Sequence, residues 1–361
     1  MLFVKPLNLK PGMILATDLR GPHSELLLTC GHVLTASNIA KLQLSEHEGA
    51  YIVDCEADLT DDMGLLSKRL RFNAVSALKT FFEHVETGTE DSQYSSFLSL
   101  RHYLEAIIQE LIANKNALVN MADIKTFDEY TYYHCVNVSA LSILQGMSAG
   151  MNQRKLYKLG MGALLHDIGK VFITKDIINK PGALTDTEYE QMKQHSALGS
   201  NYLRKQWEVP AESIVAVLTH HERYDGTGYP LHLPSSKQTQ EGKIIAISDV
   251  YDALTSQRPY RVALSPSEAI EHLMGNSGLL FDPAIVSTFM KRIVPYPIGC
   301  TVRLSNGLRG VVLHNYSDGL MRPRIKVIRK NEQGDNTAQE VLDLYNDPSL
   351  LSVTVIGFEK E

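Results

Sequence analysis

Five histidines and three aspartates stand where side chains of their kind can hold metal ions. His166-Asp167 closes an apolar run, Leu156-Tyr157-Lys158-Leu159-Gly160-Met161-Gly162-Ala163-Leu164-Leu165, and Gly169 reads as the helix stop. An adjacent His and Asp at a helix end both reach inward if the last turn loosens. A carboxylate can bridge two ions and an imidazole binds one, so the pair is a sensible nucleus for a binuclear centre. His220-His221 follows a second apolar run, Ile214-Val215-Ala216-Val217-Leu218. Helical neighbours differ by about 100°, so these two imidazoles would serve different ions. Asp249 and Asp252 close a third run, Ile244-Ile245-Ala246-Ile247, and at i,i+3 they share a face. His134 and His195 sit on amphipathic segments. Each feature alone has an ordinary explanation: a core histidine, a chance dipeptide, a solvated helix end, a cap. Their joint occurrence at the ends of buried runs points to metal-assisted hydrolysis.

The elements that must position these residues are mainly helical. From Asp123 to about Val294 the pattern reads as helices over Tyr130–Ala149, Asn152–Leu165, Asp186–Lys205, Ala211–Thr219, Lys243–Leu254 and Pro266–Met274. An all-α bundle receiving ligands from several helices is the natural architecture. Ahead of it, residues 1–60 mix short strands (Leu26-Leu27-Leu28, Gly31–Leu34, Ala50–Val53) with a helix capped at Ser37, a small α+β domain. Residues 61–122 form a helical linker region. Its capping signal is Thr60-Asp61-Asp62, the polar stretch Glu86–Ser96 reads as a loop, and a helix runs from Leu100 to Met121. The bundle occupies 123–295. Residues 296–361 alternate as strands around an Asn306-Gly307 hairpin signal, a small β appendage.

Composition narrows the partners. The 361 residues are too many for one core of typical size, which predicts several domains. A hydrophobic fraction of 44% with 21% charged residues is ordinary for a soluble protein. A net charge of −6 without a basic stripe argues against a nucleic-acid polymer, whereas ions and local cations can still bind a small anion. Cys30, Cys55, Cys135 and Cys300 are scattered, so neither a disulfide scaffold nor a thiolate zinc site is expected. No secretory leader or membrane span is read, and the expected compartment is the cytoplasm.

Three long stretches resemble the HD-GYP family: His166-Asp167-Ile168-Gly169-Lys170, then His220-His221-Glu222-Arg223-Tyr224-Asp225-Gly226-Thr227-Gly228-Tyr229-Pro230, then Asp249 through Arg261. The resemblance covers about residues 123–295 and implies an all-α HD-type bundle with cyclic-di-GMP phosphodiesterase activity, giving linear pGpG, GMP or both. Placed residue by residue, the family pattern implies metal ligands at His134, His166, Asp167, His195, His220, His221 and Asp249, with Asp167 bridging. Some members hold a third metal with a Glu four residues before the first His. Tyr130 stands there, and Glu129 is one residue off, so two ions are expected. The segment Leu9-Lys10-Pro11-Gly12-Met13 is similar to the small DUF3391 domain often found ahead of HD-GYP domains.

The ligand set has imidazole and carboxylate but no thiolate, which suits iron or manganese and also admits zinc, cobalt or nickel; the resemblance favours the first two. A water activated by the two ions would attack phosphorus in line with the departing ribose 3′ oxygen. Lys170 is read as a phosphate contact, Arg258 and Arg261 as contacts to the second phosphate or a guanine edge, and Asp252 as a residue that orients a ligand or the nucleophile. Gly226, Gly228 and Pro230 shape the loop after the histidine pair, where Tyr229 would stack on guanine. The resemblance also makes this loop a surface for diguanylate cyclase (GGDEF) domains, and the flanking domains are candidates for homodimer formation. Rival readings are a plain HD phosphohydrolase, a phosphodiesterase for mixed cyclic GMP-AMP, and a non-catalytic module sensing cyclic-di-GMP. The first does not need His195, His220-His221 and the GYP segment together; the last would be expected to lose ligands, and all seven are present.

Overall fold

The computed structural model describes the chain except residues 1, 5, 7–8, 12, 14, 16–18, 21–25, 29–33, 45–49, 53–64, 115–129, 181, 206–207, 257–263, 297, 317–318, 320, 331–335 and 359–361. It divides into two units, Met1–Met63 and Gly64–Glu361. In the first, β1 (Leu2–Val4), β2 (Leu19–Arg20), β3 (Leu26–Leu28), α1 (Ala36–Leu44) and β4 (Ala50–Ile52) follow in order. β1 pairs antiparallel with β4, and β2 with β3. A small core of Leu9, Leu15, Leu19, Leu34, Ile39 and Leu42 lies among them. The cap of α1 is Thr35, whose Oγ1 accepts from Asn38 N, and not Ser37. The strand read at Gly31–Leu34 and the capping signal at Thr60-Asp61-Asp62 fall largely or wholly outside the described residues.

The second unit opens with two helices, α2 (Lys68–Thr87) and α3 (Glu90–Ala113). The polar stretch read as a loop is mostly helical. Thr89 caps α3 by accepting from Ser92 N, and Glu90 and Asp91 then complement the helix dipole. Those residue types mark a helix start as readily as a loop. Phe81, Leu100, Leu104 and Ile108 of this pair join one core with the helices that follow, so residues 68–113 pack as part of the bundle rather than as a linker.

The bundle continues through α4 (Tyr130–Ser148), α5 (Gln153–Leu164), a 3-10 turn (Ile168–Phe172) and α6 (Lys175–Ile178). Next come α7 (Asp186–Lys193), α8 (His195–Leu203), α9 (Ala211–Thr219), α10 (Gln240–Thr255), α11 (Pro266–Gly275) and α12 (Pro283–Met290). The stretch read as one helix over Asp186–Lys205 breaks at Gln194, which makes His195 the first residue of α8. α4 packs on α5 and α10, and α9 packs on α5, α8 and α10. Asn152 caps α5 by accepting from Lys155 N at 3.0 Å, and Thr239 caps α10 through Gly242 N at 3.1 Å. These four central helices are apolar along their buried faces, including Val136, Leu159, Val217 and Ile245. α5 and α9 end just before His166 and at His220, while His134 lies one turn into α4 and Asp249 within α10.

The appendage is a five-stranded antiparallel sheet ordered β8-β7-β6-β5-β9. Its strands are β5 (Thr301–Leu304), β6 (Arg309–His314), β7 (Arg324–Lys330), β8 (Asn336–Asp343) and β9 (Val355–Phe358). Alternate residues Val302, Leu304, Val312, Ile325, Val327 and Leu342 form its own core, as a period of two requires. Among the described residues, no helix is long and apolar enough to cross a membrane.

Candidate metal centre

The last turn of α5 does loosen. Leu165 lies at φ −105°, ψ 6° and Asp167 at φ −98°, ψ 4°, so both leave the helical well and let His166 and Asp167 turn inward together. The reason for glycine at 169 is not a helix stop. Its backbone lies against α8 so closely that a Cβ would sit 1.8 Å from His195 O and 2.6 Å from Gly199 N. This contact sets His195 beside the His-Asp turn, with His195 Nε2 3.5 Å from Asp167 Oδ1.

All seven residues expected as ligands converge. His195, His220 and His221 form one group, His134, His166 and Asp167 a second, and His166, His220 and Asp249 a third, each with ligand atoms within 4.8 Å of one another. Three histidines share one local device. The Nδ1–H groups of His166, His195 and His220 donate to the carbonyls of Ala163, Met192 and Val217, each three residues back and each at 2.7 Å. A carbonyl only accepts, so a proton is on Nδ1 and Nε2 is the nitrogen turned into the cage. His134 is held differently: its Nδ1 meets Asp252 Oδ2 at 2.6 Å and its Nε2 meets Asp249 Oδ1 at 3.0 Å. Asp252 is in turn held by Asn137 Nδ2 at 3.2 Å and Ser256 Oγ at 3.3 Å.

These residues fit metal ions. The Nε2 of His166 is buried without a hydrogen-bond partner. The Nε2 of His195 lies 3.3 Å from that of His220, although both rings carry their proton at Nδ1. Two opposed lone pairs at that distance repel, and a cation beside them relieves the repulsion. Nitrogen and oxygen donors at the ends of rigid helices are the donor set of a mixed imidazole–carboxylate site.

Charge is arranged to match. Burial pushes His195, His220 and His221 down, the last to about 3, which keeps them in the neutral form that ligates. Burial opposes charge on His134 and His166 as well, but Asp249 and Asp252 beside the first, and chiefly Asp167 beside the second, outweigh it and raise both. Burial likewise opposes the Asp167 carboxylate. Lys170 and His166 outweigh it and hold that carboxyl well below the usual range. Lys170 Nζ sits 2.5 Å from Asp167 Oδ2.

The comparisons with known proteins give the family. The HD domain profile matches residues 106–285. A cyclic di-GMP phosphodiesterase of Pseudomonas aeruginosa is 36% identical over 287 residues, covering 79% of this chain and 67% of that protein. The chain belongs to the HD-GYP family. A cyclic di-GMP phosphodiesterase of Thermotoga maritima is 38% identical over 165 residues, 45% of each chain. A 3′3′-cGAMP-specific phosphodiesterase of Vibrio cholerae is 34% identical over 165 residues, 45% of this chain and 37% of that one. The chain thus spans about two thirds of the first relative's length and less than half of the other two. The HDG"Y"P protein Bd1817 of Bdellovibrio bacteriovorus shares the fold, with a TM-score of 0.53 at 17% identity over 80% of this chain and 97% of that one.

Other expected HD-GYP residues are placed less simply. Lys170 rests on Asp167. Asp252 touches His134 rather than joining any of the three ligand groups. Tyr229 stacks on His221, with ring centroids 4.6 Å apart and planes at 28°. Gly228 folds back on the histidine pair so tightly that a Cβ would lie 2.2 Å from Arg223 N and 2.4 Å from His221 O. Arg258 and Arg261 lie outside the described residues, as does Glu129; Tyr130 opens α4, and its side chain is likewise outside them. Sequence reasoning missed Asn137, one helical turn from His134, whose i,i+3 spacing was the available signal. It also missed Glu222, the residue directly after the histidine pair.

Proposed function

We propose that this chain is a metal-dependent phosphodiesterase that hydrolyses cyclic di-GMP to linear pGpG, GMP or both in bacterial second-messenger signalling. The observation that carries the reading is the convergence of four buried imidazoles, the half-buried His221 and two carboxylates, three of the imidazoles locked with Nε2 turned inward. The site would hold two divalent ions, iron or manganese, between His134, His166, Asp167, His195, His220, His221 and Asp249. Bound there, the ions would lower the pKa of a water and neutralise charge building on the phosphoryl oxygens.

The protein's own groups have distinct tasks. Asp167 turns Oδ2 toward His166 and Oδ1 toward His195, the geometry of a carboxylate shared between two sites. Lys170 offsets its charge, and its ammonium is assigned to a non-bridging phosphate oxygen. Asp252 orients His134 and keeps its ring in one tautomer. Gly228 lets the loop close over the histidine pair, and Arg258 and Arg261 are assigned to the second phosphate or a guanine edge. The same loop, with Leu231 52% exposed, is the surface assigned to a diguanylate cyclase domain.

A second reading keeps the cage and changes the substrate to 3′3′-cGAMP, and the similarity to the Vibrio cholerae enzyme of that specificity favours it. Turnover of the two cyclic dinucleotides by manganese-loaded protein, measured side by side, separates them. Faster turnover of cyclic di-GMP supports the first reading. Preference for the mixed dinucleotide establishes the second, and turnover of neither refutes both.

A further inference from the structure

Four of the five cage imidazoles are oriented by a hydrogen bond at Nδ1: three to backbone carbonyls and one to Asp252. His221 is the exception. Among the described residues no hydrogen bond reaches its Nδ1; its Nε2 faces that of His195 at 3.2 Å. The contact that fixes its ring from outside the cage is the stacked ring of Tyr229. What holds His221 in place is therefore whatever holds Tyr229.

Tyr229 belongs to a loop with several fastenings: Tyr224 and Asp225 N–H donate to Leu280 and Leu279 O, Gln238 Nε2 donates to Arg223 and Leu233 O, and two more fastenings flank Tyr229 itself. At the near end its own N–H donates to His221 O at 3.1 Å. At the far end the carboxylate of Glu222, 5% exposed, accepts from two backbone amides: Leu231 N–H to Oε1 at 2.7 Å and Leu233 N–H to Oε2 at 2.9 Å. Between those amides His232 adopts φ +52°, a left-handed conformation that a residue other than glycine takes at a cost. That conformation turns both N–H groups toward one carboxylate. A buried carboxylate with both oxygens committed to a loop backbone is a clasp. It lies one residue from His221, the cage imidazole whose Nδ1 no hydrogen bond reaches among the described residues.

We propose that Glu222 is a positioning residue: it clasps the loop so that Tyr229 holds the His221 imidazole at its ligating angle. This rests on the reading of the site as a metal cage. It assigns the GYP tyrosine to orienting His221, whereas the sequence had assigned it to stacking on guanine. The clasp stands where Asp252 stands for His134, with a stacked ring in place of the hydrogen bond.

The test is titration of metal-free protein with Mn2+ by calorimetry. Wild-type protein should show two binding events. E222Q and Y229A should each weaken one event by about tenfold or more, the usual effect of removing an outer support, and leave the other unchanged. Y229F keeps the stacked ring and should bind as wild type, while E222Q/Y229A should bind no more weakly than Y229A alone. Unchanged binding in E222Q overturns the proposal, as does equal weakening of both events. If E222Q does not fold, the comparison of Y229A with Y229F decides: unchanged binding in Y229A overturns it. Wild-type protein that binds no Mn2+ refutes the cage itself, and the assignment falls with it.

Discussion

Replacing Gly169 by alanine should damage the site without touching any ligand. The new Cβ would lie 1.8 Å from His195 O and 2.6 Å from Gly199 N, and neither atom belongs to a side chain that can swing away. Restoring ordinary contact requires the 3-10 turn and α8 to part by about 1.6 Å. That exceeds the displacement of about 1 Å at which misplaced catalytic groups lose on the order of 100-fold in rate. It would pull His195 Nε2 from its 3.5 Å approach to Asp167. Overpacking against backbone belongs at the upper end of the usual range, about 3 kcal/mol. For a unit of this size that is a melting temperature lower by roughly 5 °C. Turnover, metal content and thermal unfolding of G169A should be measured together. Wild-type turnover with a wild-type melting temperature would refute the account of how α8 is set against the His-Asp turn.

Asp252→Asn should lower Mn2+ affinity about tenfold or more by weakening the support of His134, with Asn137→Ala acting in the same direction and more weakly; calorimetry checks both. Glu188 makes a separate prediction about acid stability. The Lys180 ammonium, then the Thr185 amide and hydroxyl, hold its carboxyl at about 2. The unfolded chain binds that proton near about 4.3, so this stabilisation is present above that pH and is lost as pH falls toward 2. The difference in melting temperature between wild type and E188Q should therefore shrink as pH drops from about 5 to about 3, and a constant difference would contradict it. Metal analysis of anaerobically purified protein should give close to two ions per chain, and a firm value of three would overturn the expectation drawn from Tyr130.

The cage was legible because most of its ligands directly follow buried apolar runs. His166-Asp167 and His220-His221 follow apolar runs at whose ends the helices stop, and Asp249 follows the apolar run of α10, which continues to Thr255. What could not be read depends on contacts between distant segments. The clash at Gly169 involves α8, some 30 residues on, so the sequence suggested a helix stop instead. Lys170 carries the same charge whether it faces phosphate or Asp167, and only the fold shows it resting on Asp167. Glu222 carries no pattern that marks it as a clasp until Leu231 and Leu233 fold back on it. Glu86–Ser96 misled for a local reason. Serine, threonine and glycine favour loops and helix starts alike, and the burial of Phe97 and Leu100 decides in favour of helix. In the first unit the strands are two or three residues long, too short for alternation to mark them reliably.

The central claim is that a metal cage nucleated by His166-Asp167 hydrolyses a cyclic dinucleotide. The most direct measurement is cyclic di-GMP turnover by manganese-loaded wild type, His166→Ala and Asp167→Ala, with product chromatography resolving pGpG from GMP and circular dichroism confirming folding. The account predicts turnover in the wild type and its abolition in both variants while each remains folded. Robust turnover in either folded variant would contradict it.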